Sequence, residues 1–193
     1  MGTSRLKIVK SGSRPLGDAG DFQVIKALAS SQEWLHVEGV GQELDRSGEA
    51  RRAYVERVLS FADVSALQPL KIVVNSGNGA AGPTFDALSK RLMALGAPLE
   101  FVRVHHAPDA TFPNGIPNPL LSENHSATAD VVMAEKADFG VAFDGDFDRC
   151  FFFDENGNFI PGQYIVGLLA ETFLLKEPGA KIIHDPRVIW NIQ

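Results

Sequence analysis

The sequence predicts a layered α/β domain, and three observations carry that expectation. From residue 70 onward, apolar runs of strand length alternate with stretches of helical spacing. The connections between them are short. Clusters of glycine, proline and asparagine punctuate the joins, where the chain must turn.

Before residue 70 the pattern is looser. Leu6-Lys7-Ile8-Val9 reads as a strand, and Ser11 to Gly20, rich in Gly, Ser and Pro, as a loop. A helix follows from Asp21, its suggested cap, with Phe22, Ile25, Leu28 and Ala29 on one face. His36 to Gly48 has little periodicity and reads as a linker. Helical spacing returns from Glu49 to Phe61 through Tyr54, Val55, Val58 and Leu59.

The regular part begins with Leu70 to Val74 as a strand, Asn75 to Gly82 as a glycine loop and Pro83 to Leu95 as an amphipathic helix. Proline suits a first helical turn, where its missing N–H is no loss. Leu99 to Val104 is the next strand. Pro108 to Pro119, with four prolines and Asn114-Gly115, is excluded from helix and central strand alike. Ser126 to Lys136 is predicted helical, Phe139 to Phe143 and Cys150 to Asp154 are strands, and Glu155 to Asn158 is a tight turn. A helix over Tyr164 to Leu175 stops before Pro178-Gly179, and Lys181 to His184 is predicted as a final strand. A strand beginning at residue 6 and the apolar Val188-Ile189-Trp190 at the other end suggest a piece of a longer protein.

Composition narrows the function classes. Of 193 residues 45% are hydrophobic, and 18 basic against 24 acidic side chains leave a net charge of −6, which argues against a nucleic-acid binder. No apolar run reaches the roughly 18 residues of a membrane span, and the N-terminus offers no signal-peptide core. Cys150 is the only cysteine, so an internal disulfide is excluded and a reducing cytoplasm is expected. Opening the run Cys150-Phe151-Phe152-Phe153, it reads as a buried structural thiol.

The chemistry concentrates after Gly140-Val141-Ala142-Phe143, a strand that delivers Asp144, Asp146 and Asp148 at alternate positions. Three carboxylates this close repel one another unless a cation neutralises them, and a hard divalent ion takes oxygen ligands. Gly145 is read as the residue that lets the loop bend, and Arg149 as a fork for a phosphate oxygen pair. A divalent cation beside an arginine is what phosphoryl transfer uses, because positioning and charge stabilisation dominate there. Two rivals share the loop. An EF-hand would need glycine where Arg149 stands. An aspartyl phosphatase or phosphotransferase would use Asp144 of Asp144-Gly145-Asp146 as nucleophile; that remains the alternative, with a non-catalytic binding module as a third.

Gly77, Gly79 and Gly82 match a dinucleotide fingerprint on paper, but Glu100 stands near the start of the next strand instead of its end, so a tight strand-to-helix turn is preferred. His105 and His106, adjacent on a strand, should point to opposite faces and not share an ion. His184-Asp185-Pro186-Arg187 is a further ligand-facing candidate.

Three motifs in order, Asn75-Ser76-Gly77-Asn78-Gly79-Ala80-Ala81-Gly82, Phe112-Pro113-Asn114-Gly115-Ile116-Pro117-Asn118-Pro119 and Asp144-Gly145-Asp146-Phe147-Asp148-Arg149, resemble the second domain of bacterial α-D-phosphohexomutases of the phosphomannomutase/phosphoglucomutase kind. The resemblance covers nearly the whole chain. It implies a mixed sheet flanked by helices, with residues 1–40 the end of a first domain and 41–193 the second. It implies an isomerase acting by phosphotransfer through a phosphoserine on hexose 1- and 6-phosphates, mannose or glucose, feeding nucleotide-sugar synthesis. Asp144, Asp146 and Asp148 would hold Mg²⁺, Arg149 would contact phosphate, and Lys7 would move a proton, although Arg5 replaces the glycine of its usual context. The Thr-Ala-Ser-His-Asn-Pro loop of the family has no counterpart in these residues, and Ser4 lacks its context. The chain alone is therefore expected to be inactive, and surfaces bared by truncation to favour homo-oligomers.

Overall fold

The computed structural model describes residues 8–17, 20–32, 39 and 41–185. It divides into two compact units, Met1–Asp45 and Arg46–Gln193. In the first, β1 (Val9–Lys10) pairs antiparallel with β2 (Arg14–Pro15) around a turn in which Gly12 takes φ +73°, and α1 spans Asp21–Ser31. The expected strand is thus met only at Val9, since Leu6 and Lys7 lie outside the described residues, and β2 falls where a loop is expected. Asp21 is not the cap of α1. Gly20 holds that position, while the Asp21 carboxylate accepts from the Gly17 N–H at 3.2 Å and pairs with Lys10, which holds it below the usual carboxylate range.

The second unit runs α2 (Ser47–Leu59), β3 (Leu70–Asn75), α3 (Ala81–Ala94), β4 (Leu99–Val104), α4 (Ser126–Glu135), β5 (Phe139–Phe143), β6 (Cys150–Phe153), β7 (Phe159–Ile160) and α5 (Gly162–Lys176). The sheet order is β4-β3-β5-β6-β7. The first three strands are parallel and the last two antiparallel to their neighbours, which makes the mixed sheet expected. An interior parallel strand is covered on both faces and so reads as a continuous apolar run. Ile72, Val73 and Val74 of β3 accordingly retain 8%, 0% and 2% exposure. Ile72 and Val74 pack with Phe85 of α3 on one face, and Val73 with Val132 of α4 and Ala137 on the other. Successive crossovers place β4 and β5 on opposite sides of β3. In such sheets the crevice at the carboxyl ends, where the strand order reverses, is the place for ligands.

The second unit departs from expectation as well. Cys150 is exposed, because it starts β6 at the loop end of the sheet, although local burial still pushes its thiol pKa up. Lys181 to His184 forms no strand: no ladder partner lies beside it among the described residues, and Ile183 is 98% exposed. β7 is an unforeseen strand, too short for any periodicity to announce it.

Candidate metal centre

Residues 144–149 are the tip of the β5–β6 hairpin, whose last ladder pair is Phe143 with Cys150. The tip closes with the Phe147 N–H on the Asp144 carbonyl at 3.1 Å and the Asp144 N–H on the Arg149 carbonyl at 3.4 Å. The left-handed residue of the turn is Phe147, at φ +45°, and not Gly145. A Cβ at Gly145 would make ordinary van der Waals contact with Phe112 and Pro117 at 3.6 Å. Strand β6 resumes at Cys150, so the loop is too short for an EF-hand.

The hairpin brings the three aspartates together, with one carboxylate oxygen from each of Asp144, Asp146 and Asp148 within 4.8 Å of the others, a group that could hold a metal ion. Asp146 and Asp148 are exposed; Asp144 is 2% exposed at the base. Asp144 Oδ1 accepts the Arg149 N–H at 3.2 Å. Its Oδ2 is buried without an aligned hydrogen bond, although Arg149 Nη2 stands 2.5 Å away; that contact is ionic. Arg149 Nε also reaches Asp148 Oδ1 at 3.3 Å. The guanidinium is thereby folded onto two of the three carboxylates, and Asp144 above all raises its pKa. A buried, under-bonded carboxylate oxygen beside two exposed carboxylates suits a hard cation. The same burial counts against Asp144 as a nucleophile, since a substrate phosphorus must reach an oxygen from the open side.

The glycine loop after β3 serves this hairpin. A Cβ on Gly79 would stand 2.5 Å from the Gly145 carbonyl oxygen and 3.0 Å from its Cα, and the Ala80 N–H donates to that same carbonyl at 3.0 Å. Gly82 lies against the His106 backbone. The glycines thus allow close approach of protein to protein, as the tight-turn reading requires. Glu100 sits at the opposite end of the sheet, paired with Lys71 at 3.5 Å, which removes the dinucleotide reading. The proline loop completes the rim. Asn114 Nδ2 donates to Asn78 Oδ1 at 2.8 Å, and Asn75, His105, Pro117, Asn124 and Phe143 are among the residues around a cavity of about 220 Å³.

His105 and His106 do part company. His105 lines the cavity, whereas His106 Nε2 lies 2.8 Å from Asp86 Oδ2 and its Nδ1 3.4 Å from Ser76 Oγ. His106, with Arg103 behind it, holds the Asp86 carboxyl below the usual range. This network braces the glycine loop, and nothing in the sequence pattern announces it. His184 Nδ1 lies 3.0 Å from the Asp185 carbonyl oxygen; Pro186 and Arg187 lie outside the described residues, as do Lys7, Ser4 and Val188 to Trp190.

Residues 52–157, more than half of the chain, match the family model described as phosphoglucomutase/phosphomannomutase, alpha/beta/alpha domain II. The chain is 54% identical over 194 residues to a phosphomannomutase of Salmonella montevideo, covering 100% of this chain and 42% of that protein. A phosphomannomutase of Vibrio cholerae is 54% identical over 192 residues, covering 99% of this chain and 41% of its own length. The crystal structure of a phosphoglucomutase/phosphomannomutase family protein from Burkholderia thailandensis superposes with a TM-score of 0.67 at 32% identity, over 85% of this chain and 33% of that one. The chain thus spans well under half the length of the curated relatives it matches.

Proposed function

The chain belongs to the phosphoglucomutase/phosphomannomutase family, and from that premise we propose that it supplies the metal-binding loop of a hexose-phosphate mutase. The observation that carries the reading is the convergence of Asp144, Asp146 and Asp148 at the carboxyl ends of β3 and β5. These three side chains would hold Mg²⁺, which when bound neutralises charge on the oxygens of a transferring phosphoryl group. Arg149 would orient phosphate, and Lys7 would move the proton of the sugar hydroxyl. The substrate is a hexose 1- or 6-phosphate, mannose or glucose, on the way to nucleotide sugars. No described helix is long and apolar enough to cross a membrane, and the single cysteine favours the cytoplasm as the working compartment.

Mg²⁺ demands near-octahedral oxygen coordination and gives up water reluctantly. With three protein carboxylates, one of them clamped by Arg149, the site should be weak. Titration calorimetry is expected to show Mg²⁺ heat for the wild type and none for Asp146→Ala, a change at an exposed position that spares the core. Identical traces for the two proteins would end the metal assignment.

Self-association is the remaining partner proposal. Leu168, Leu169, Phe173 and Leu175 of α5 are exposed, and an apolar surface of that kind favours association. Sedimentation at micromolar concentration should show dimers or larger species; a clean monomer at all concentrations would refute this.

A further inference from the structure

The four charged side chains of the hairpin tip, Asp144, Asp146, Asp148 and Arg149, are not held alike. Asp144 is fixed: its side chain is 3% exposed and its Oδ1 is tied to the Arg149 N–H at 3.2 Å. Its other oxygen, Oδ2, is buried with no aligned hydrogen bond and is met there by a charge. The group facing that oxygen is the Arg149 guanidinium, 2.5 Å away, on a side chain that is 54% exposed and has open solvent to move into. Through Nε the same guanidinium reaches Asp148 at 3.3 Å, so it spans two of the three carboxylates that could hold a cation.

A divalent ion bonded to Asp144 Oδ2 would sit about 2.1 Å from it. Two positive charges would then stand within a few ångströms of Nη2, over the same lone pairs, and in a partly buried site that repulsion is strong. The two cations therefore compete for the oxygen. We propose that Arg149 is the loop's resident counter-charge, competing with the divalent cation for Asp144, so that metal binding releases its guanidinium toward an anionic ligand. The inference rests on the metal-loop reading above and adds to it an order of events. By linkage, an anion that captures the freed guanidinium strengthens metal binding in return, and metal strengthens anion binding by the same factor.

Two measurements on the whole chain decide it. In the first, free Mn²⁺ is followed by electron paramagnetic resonance during titration of wild type and Arg149→Gln, each first checked for folding by circular dichroism. Removal of the competitor should tighten Mn²⁺ binding about fivefold or more, the scale expected for loss of a partly exposed ion pair. Equal or weaker binding in Arg149→Gln would overturn the competition while leaving the metal loop standing. Absence of Mn²⁺ binding in both proteins would overturn the metal loop itself, and this inference with it. The second measurement needs no variant and decides the matter alone if Arg149→Gln does not fold. Wild type is labelled with phenylglyoxal, and modification of Arg149 is mapped by mass spectrometry with and without saturating Mg²⁺. A freed guanidinium should react about twofold faster or more with the metal, as a shift toward the open population predicts. An unchanged or slower rate at Arg149 would refute the release.

Discussion

Assayed by itself, the 193-residue polypeptide is expected to leave mannose 1-phosphate and glucose 1-phosphate unchanged in the presence of Mg²⁺ and a hexose bisphosphate. Phosphoryl transfer through an enzyme intermediate needs an acceptor side chain, a proton carrier and groups that position the sugar. On the proposed reading these residues hold a metal loop, Arg149 and Lys7, but no serine in a Ser-His-Asn-Pro setting. Removing a nucleophile alone costs about 10⁴ to 10⁶ in rate, and lost positioning removes an effective molarity on the order of 10⁵ M. The coupled assay should therefore match the blank. Isomerisation above background that vanishes in Asp148→Ala would contradict this and would place an acceptor inside the chain. The same samples test the phosphatase alternative through inorganic phosphate. Asp144 is 2% exposed and faces Arg149 through its backbone N–H and its guanidinium, so no release is expected. Phosphate release abolished by Asp144→Asn would favour that alternative.

What was legible in the sequence follows from which forces are local. β3 and β5 are found where the apolar runs place them, because an interior strand covered on both faces has only one composition open to it. β4, at the sheet edge with Glu100 and Arg103 exposed, follows its own apolar residues Leu99, Phe101, Val102 and Val104. α4 starts at Ser126 as expected and stops one residue earlier, at Glu135, where Lys136 turns left-handed at φ +50°. The aspartate triad was legible for the same reason: alternation along one hairpin tip brings its members together without help from elsewhere in the chain. Interactions between distant segments were not legible. Ser76, Asp86, Arg103 and His106 come from β3's loop, α3 and the end of β4, and only the closed sheet makes them neighbours. Gly145 reads as a hinge, yet it is Phe147 that takes the positive φ, and the forbiddingly close approach falls on Gly79, which lies against the Gly145 backbone. Arg149 looked ready for phosphate, whereas its fork closes on its own loop, since a charge-dense tip satisfies its nearest carboxylates first.

That dependence of one loop on another gives the second large effect. Gly79→Ala should damage the metal loop without touching any of its own residues. Gly79 does not need glycine's backbone freedom, because its φ is not positive. The obstacle is steric: the new Cβ would lie 2.5 Å from the Gly145 carbonyl oxygen and 3.0 Å from Gly145 C and Cα. All three are backbone atoms, so no side chain can rotate away, and the hairpin tip must shift as a body. The Ala80 N–H to Gly145 carbonyl bond, 3.0 Å in the native loop, is then lost or stretched. Overpacking of this kind costs about 1–3 kcal/mol, which for a chain of this size lowers Tm by roughly 2–4 °C per kcal/mol. The convergence of Asp144, Asp146 and Asp148 suffers in step, and Mg²⁺ affinity should fall about tenfold, as a metal site displaced by a fraction of an ångström loses its preorganisation. Gly162→Ala is the matched control: nothing lies within 4 Å of a Cβ at the exposed start of α5, and its stability should stay within about 0.5 kcal/mol of the wild type with Mg²⁺ binding unchanged. Calorimetric unfolding and Mg²⁺ titration of the three proteins read both effects. If Gly79→Ala melts and binds as the control does, the glycine loop yields on its other side, and the hairpin does not depend on it for its shape.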